Sequence, residues 1–395
     1  MKLSLPKISL SRVLILVSIV AYFAFGDYSR YIYVIKVAAI VGLIISEKRV
    51  HVGFHLFWVI GFLLCEAISM LWCHYISNSL FYIVWTLQAM ALAFVMGNAV
   101  HTKKDIEYVL KCIFIGGVVL SLRVLMHTTM RELGSFRVGE NMGYNANELA
   151  MKCAVACHAG FYAATRQRKR VNKIAYVLLA ALTLLIVIFT GSRKGVLMSV
   201  MGLILSMTFR SKAPIKFLRN VFIALGLMVV FFIVVTQVEA FYNVLGRRLM
   251  LIVNLVTGES YVGNSITNRL NFARIGLDLF TKRPLLGYGT GSFAYESGIG
   301  LYAHNNYVQL LVDLGLAGTL VYYSVYVYNV AGLIRIMRQE KDLSSVLLAF
   351  ALMLVVLELT LVSFQNDYVQ LIIALTCAYI RICRKDPVSL EELEE

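Results

Sequence analysis

Apolar residues run along this chain in long blocks divided by short polar connections. Blocks of about 17 to 25 apolar residues are read as bilayer-spanning helices, because a helix rising 1.5 Å per residue needs about that length to cross the hydrocarbon core. Twelve such blocks can be drawn, over residues 11–26, 31–46, 53–73, 80–98, 106–126, 147–165, 174–190, 194–209, 217–236, 304–333, 343–364 and 367–383. Between the ninth and the tenth the pattern breaks, and the interruption carries glycines, arginines and a His-Asn pair that anchoring in a membrane does not require. The expected organisation is a membrane bundle of nine helices over 1–236, a large external loop with short helices over 237–303, three further membrane helices over 304–385, and an acidic cytoplasmic tail over 386–395. The predicted fold class is an all-α polytopic membrane protein of about 12 transmembrane helices.

Composition supports this reading: 59% of residues are hydrophobic, 15% are charged, and the mean hydropathy is +0.76. Alternate connections hold 22 of the 37 Lys and Arg residues, and the positive-inside rule puts that set, with both termini, in the cytoplasm. The net charge of +15 then follows largely from orientation and contact with anionic head groups. No zinc spacing, recognition helix or single-strand aromatic module accompanies the charge, so nucleic acid is not an expected partner. Lys2 and Lys7 before a short apolar run, with Ala24-Phe25-Gly26 after it, superficially resemble a cleavable leader. An uncleaved first helix is the expected reading. Cys153, Cys157 and His158 are close enough on one helix to suggest a metal, but no second ligand pair matches them, so packing is expected and no metal or cofactor is assigned.

Three outward connections carry the candidate chemistry. The first, Arg131 to Asn147, has three glycines and several amides, among them Asn145 and Asn147; it can present Arg137 and these amides to a polar ligand, or serve as a plain connector capping the sixth span. The second is the short turn Thr190-Gly191-Ser192-Arg193-Lys194-Gly195. An arginine at the mouth of a helix bundle pulls strongly on an anion, and its planar fork can hold two phosphate oxygens. The third is the large loop, where Asn268-Arg269 and Arg274 should project from one side of a short helix over about Ile266 to Leu279. A glycine-rich turn, Arg283 to Phe293 with Tyr288 at its centre, follows; it lacks the preceding strand and the lysine of a nucleotide cradle. The loop closes on His304-Asn305-Asn306-Tyr307, and a histidine at a helix entry can exchange a proton near neutral pH because its ordinary pKa is about 6.5.

The order of these motifs resembles the O-antigen ligase and polymerase superfamily. The runs carrying the resemblance are Thr190 to Gly195, Asn268-Arg269, Arg283 to Phe293, and His304-Asn305-Asn306-Tyr307 continuing to Gly318, with Asn145 to Ala150 similar to the family's Asn-rich helix entry. The resemblance implies a membrane-embedded, GT-C-like, metal-independent and inverting glycosyltransferase. Its donor would be an undecaprenyl-diphosphate-linked glycan on the outer face of the inner membrane. The acceptor would be another lipid-linked repeat unit for a polymerase, the expected member, or lipid A-core for a ligase; a polysaccharide chain-length regulator is a further expected partner. Carried over by position, Arg193 and Arg269 would hold the diphosphate and His304 would deprotonate the acceptor hydroxyl. Arg137, Arg274, Asn145, Asn147, Ser192, Asn305 and Tyr288 would contact substrate. A transporter or flippase of lipid-linked glycan is the alternative of another class, with Glu66, Lys36, Lys111, Lys152 and Glu358 as candidate buried ionisable residues along a path.

Overall fold

Each of the twelve apolar blocks is helical in the computed structural model of the chain, which describes residues 9–26, 29–47, 50–129, 132, 137–211, 214–257 and 264–385. In chain order the first nine long helices are α1 (Leu10–Ala24), α2 (Ser29–Ser46), α3 (Phe54–Ser69), α4 (Ile76–Asn98), α5 (Lys103–Met126), α6 (Ala146–Thr165), α7 (Arg170–Phe189), α8 (Arg193–Arg210) and α9 (Pro214–Gln237). The large connection then folds as a one-turn helix α10 (Glu239–Phe241), a π-helical turn over Tyr242–Gly246, α11 (Arg247–Thr257), α12 (Asn264–Lys282) and the short α13 (Phe293–Glu296). The last three long helices are α14 (Asn306–Ile336), α15 (Asp342–Leu357) and α16 (Asp367–Lys385). By length and composition alone, four helices among the described residues can cross a membrane, namely α4, α5, α7 and α14, or up to five if the bent pair Val229–Gln237 and Tyr242–Leu251 forms one span. The chain is therefore an all-helical, multi-pass membrane protein. The expected acidic tail at 386–395 and Arg131 lie outside the described residues.

Local chemistry explains where the helices start. Thr102 and Asp105 close a capping box at the entry of α5: the Asp105 amide donates to Thr102 Oγ1 at 3.2 Å, and the Thr102 amide donates back to the Asp105 carboxylate at 3.0 Å. The ends depart more from the hydropathy pattern. Helix α3 stops at Ser69 although the apolar run reaches 73, and α15 stops at Leu357 although its run reaches 364. In both places a buried polar network wins over continued helix. Beyond α15, Glu358 accepts from Tyr322, Tyr326, Ser363 and Asn306, at 3.2 Å for Tyr322, 2.6 Å for Ser363 and 3.2 Å for Asn306.

The interior is built on small residues. A Cβ on Gly117 of α5 would stand 2.1 Å from the Ala156 Cβ of α6, and one on Gly160 would stand 2.4 Å from the Phe114 ring, so α5 and α6 approach backbone to backbone. Cys153, Cys157 and His158 are buried along α6, with the imidazole edge-on against Phe350 at 4.5 Å. That is a packing arrangement. Four of the five ionisable residues named for a transport path, Lys36, Lys152, Glu66 and Glu358, are engaged by other side chains. Lys36 pairs with Asp367, Lys152 with Glu148 at 2.9 Å, and Glu66 accepts from Thr86 at 3.1 Å.

The glycine-rich segment before α13 is a mount. Gly289 N–H donates to the Asp313 carbonyl at 2.7 Å, while the Asp313 carboxylate accepts from Gly291 N–H at 2.9 Å, Phe293 N–H at 3.0 Å and Gln309 at 2.8 Å. On its other side the same turn is held by α3 and α4, through Thr290 N–H to Ser69 at 3.1 Å and Asn78 to the Gly291 carbonyl at 2.7 Å. Helix α14 yields to receive it: Gly315 has φ 62° and ψ −164°, and a Cβ there would lie 2.4 Å from the Leu285 backbone. Only glycine adopts that conformation without strain. The large loop is thus fixed to three membrane helices.

Candidate active site

Around the entry of α8 the chain brings together five segments far apart in sequence. The tight turn after α7 has Gly191 at φ 62°, where a Cβ would strike the Val244 carbonyl at 2.5 Å, so glycine lets the turn press against the π-helical turn. Ser192 then caps α8, accepting from Gly195 N–H at 3.4 Å, and starts it with Arg193 and Lys194 side by side. Arg193 donates to the Arg248 carbonyl at 3.3 Å. Lys194 donates to the Thr360 carbonyl between α15 and α16, and Arg269 donates to that same oxygen at 3.1 Å. Close packing aims Arg269: a Cβ on Gly276 would stand 2.2 Å from Val308, so α12 lies tight against α14.

The first outward connection folds over this turn. Arg137 donates Nε to the Thr190 carbonyl at 2.9 Å and Nη2 to the Asn147 side-chain oxygen at 3.3 Å, and Ser192 donates to that oxygen at 3.0 Å. Arg193 lies within the electrostatic reach of Arg248, Arg269 and Arg137, and Lys194 within that of Arg269 and Arg193. Four guanidiniums and the Lys194 amine therefore share one mouth. Among the described residues the carboxylate paired with any of them is Glu140, on Arg137 at 3.1 Å, and it is half-exposed.

His304 stands at the edge of this field. It is the one non-glycine residue with positive φ among those described, at 55°, a conformation that costs on the order of 1 kcal/mol and is held here by its surroundings. Tyr302 tilts against the imidazole at 4.1 Å between ring centres and Phe272 stacks on it at 6.1 Å, while Asn305 caps α14 by accepting from Val308 N–H at 3.2 Å. Burial first, then the charges of Arg269 and Lys194, push the His304 pKa down to about 4. The sequence suggested an ordinary histidine; the structure holds it neutral at physiological pH. Its near neighbours shift too: burial, and then the Arg248 charge, pull the Arg137 guanidinium below its usual value, and burial lowers Arg269 despite Tyr302. Arginines remain cations at neutral pH in either case.

Not all of the predicted residues meet here. Arg193, Arg269, His304, Arg137, Asn147 and Ser192 converge. Arg274 does not: residues five apart on a helix are about 140° apart around it, so α12 turns Arg274 outward to solvent while Arg269 faces Thr360. The expectation that both project from one side is corrected. Tyr288 is buried in the loop's own core, donates its hydroxyl to the Leu279 carbonyl at 3.3 Å and lies under Arg283, so it braces the mount. The side-chain oxygens of Asn145 and Asn305 are taken by helix caps, Asn145 accepting from Asn147 N–H at 2.9 Å. Sequence reasoning underrated two groups. Arg248 belongs to no motif among the charges of the large loop, and the Thr360 carbonyl has no side-chain signal at all.

A family profile described as O-antigen ligase matches residues 178–323. Residues 178–323 are therefore similar to the O-antigen ligase family, in keeping with the O-antigen ligase and polymerase superfamily. No curated protein matches the chain. The matched stretch runs from α7 into α14 and contains Arg193, Lys194, Arg248, Arg269 and His304. Arg137, Asn147 and Thr360 lie outside it and come to the site through the fold.

Proposed function

We propose that this chain is a glycosyltransferase that moves an undecaprenyl-diphosphate-linked glycan onto an acceptor sugar hydroxyl at the outer face of the bacterial inner membrane. The observation that carries this reading is the convergence of Arg137, Arg193, Lys194, Arg248 and Arg269 beside a neutral imidazole. Departure of a lipid diphosphate leaves negative charge on its oxygens. Preorganised cations at a low-dielectric mouth stabilise that charge, and they need no rearrangement as it develops. The Arg193 and Arg269 forks contact the diphosphate, with Arg137, Asn147 and Ser192 holding the rim. His304 Nδ1 or Nε2 accepts the acceptor hydroxyl proton as the new glycosidic bond forms and the bond to the diphosphate breaks on the opposite face, with inversion. A positioned base of this kind adds about 10² to 10⁴ in rate. No metal ion takes part in this scheme.

The topology that accompanies it has twelve crossings, both termini in the cytoplasm, and the 237–303 loop outside. The basic connections support this: Arg12 with Asp105, and Arg166 and Arg210 with Asp342, form a charged belt at the end of the bundle away from His304. Polymerisation is favoured over ligation, and a chain-length regulator is then a natural partner. The deciding experiment incubates purified protein with a lipid-diphosphate-linked repeat unit, with and without lipid A-core, in the presence of EDTA. A ladder from the lipid-linked unit alone identifies a polymerase. Product only with lipid A-core identifies a ligase. No transfer in either tube with active donor rejects the enzyme reading, and inhibition by EDTA rejects its metal independence.

A further inference from the structure

At the other end of the bundle the structure holds a second, unassigned cavity. Helix α3 begins there and ends at Ser69 under the glycine mount, α4 ends there at Asn98, and α14 reaches it only at Tyr328, about 33 Å along the helix from Asn306 at 1.5 Å per residue. The cavity has a volume of about 460 Å³ and is lined by Phe54, His55, Tyr328, Arg381, Arg384 and His51 among others. Among the described residues, none that lines it is a carboxylate. The lining residue His51 meets His101 at 3.3 Å, and His101 in turn engages Glu47 at 2.8 Å.

The two guanidiniums are held in place. Arg381 donates to the carbonyls of Gly97, at 3.2 Å, and Val100, where α4 ends. Arg384 lies over the Tyr328 ring at 5.1 Å. His55 stacks on Trp58 at 5.9 Å and meets the tilted Phe94 ring at 5.8 Å, which makes the inner wall aromatic. Just beyond the rim the outward faces of α3 and α14 are apolar and exposed, with Phe57 64% and Val327 69% accessible, and the rim residue Val52 is 71% accessible. A basic cavity opening onto a lipid-facing apolar surface fits an amphiphile: a phosphate between the arginines with acyl chain laid along α3 and α14. A bare phosphate would leave most of this volume unfilled.

We infer that this cavity is a binding site for the phosphate head group of an anionic phospholipid, separate from the glycan site and independent of its chemistry. Such lipids are concentrated in the cytoplasmic leaflet, where the basic connections would place this end. The test uses full-length protein, delipidated in detergent and then offered phosphatidylglycerol, phosphatidylcholine or inorganic phosphate, with retained lipid counted by native mass spectrometry. Phosphatidylglycerol should be retained at least about tenfold more than phosphatidylcholine. Arg384→Gln should lose most of that preference with an unchanged lipid-free melting temperature, since Arg384 is exposed and braces no helix end. Arg381→Gln should lose it as well. Arg338→Gln, on the same end of the protein but outside the cavity, should behave as wild type. Equal retention of the two lipids, wild-type retention by Arg384→Gln, or displacement of the lipid by millimolar inorganic phosphate would each overturn the assignment.

Discussion

If His304 is the base, its depressed pKa sets an unusual acid limit on the reaction. An ordinary imidazole with a pKa near 6.5 is about 9% neutral at pH 5.5, whereas one at about 4 is about 97% neutral, a difference of about tenfold in the competent form. The doubly esterified diphosphate of the donor has no proton to exchange in this range, so kcat/KM against pH reports the free enzyme. The acid limb that belongs to His304 should therefore lie toward pH 4, with little loss of its neutral form between pH 7 and about pH 5. Lys194→Met provides the internal control. It removes one of the charges that holds His304 low, an effect of roughly 1 kcal/mol at a half-exposed site, and should move the acid limb upward by about 0.7 of a pH unit. In the donor complex the diphosphate opposes Arg269 and Lys194, so the limb of kcat should lie above that of kcat/KM. The assay is initial-rate transfer in detergent across pH 4 to 8, with recovery at pH 7 checked after each exposure. A wild-type kcat/KM limb centred near 6.5 would refute the argument that burial and the cationic field control His304. A limb unmoved in Lys194→Met would refute the electrostatic part alone.

Other outcomes follow from the same geometry. His304→Ala and Arg193→Ala should each reduce transfer by on the order of 10² or more with normal membrane insertion, and Arg193→Lys should recover only part of it, because the charge remains and the fork is lost; wild-type rates would remove these residues from the mechanism. Arg248→Gln should raise the KM for donor several-fold, since it thins the cationic field without touching His304, and the measurement is a donor titration. Arg274→Ala and Tyr288→Phe should keep near wild-type kcat, the first because it faces solvent and the second because its hydroxyl only braces the Leu279 carbonyl; a loss of kcat in Arg274→Ala at unchanged stability would restore it to the site. Gly315→Ala should lower the melting temperature by an amount matching about 1–3 kcal/mol, because a Cβ meets the Leu285 backbone at 2.4 Å and φ is positive.

Hydropathy located the long helices well because bilayer-length apolar runs leave little freedom. It misjudged ends such as Ser69 and Leu357, where a glycine turn or a buried carboxylate collects partners from distant helices that no local pattern reveals. The site was legible to a similar depth. Arg193, Arg269 and His304 stand out in the sequence by motif and by their place in polar connections, and the fold brings them together. Arg274 misled because proximity in sequence was taken for a shared helix face, when five residues turn the helix through most of half a circle. Tyr288, Asn145 and Asn305 misled because polar side chains near a site also serve caps and braces. Arg248 depended on α11 reaching back to α8, and the role of Thr360 depended on a main-chain oxygen.

That oxygen has a consequence of its own. Lys194 and Arg269 are both moored on the Thr360 carbonyl, a neutral acceptor that takes both hydrogen bonds and balances neither charge. A ligand has to draw both cations off one berth at once. A single weak charge, such as a carboxylate on a stray sugar acid, can engage one and leave the other tied. A diphosphate offers two adjacent charged groups and can release the pair together. On the proposed function, the shared mooring would set a threshold that favours paired phosphates over solitary anions.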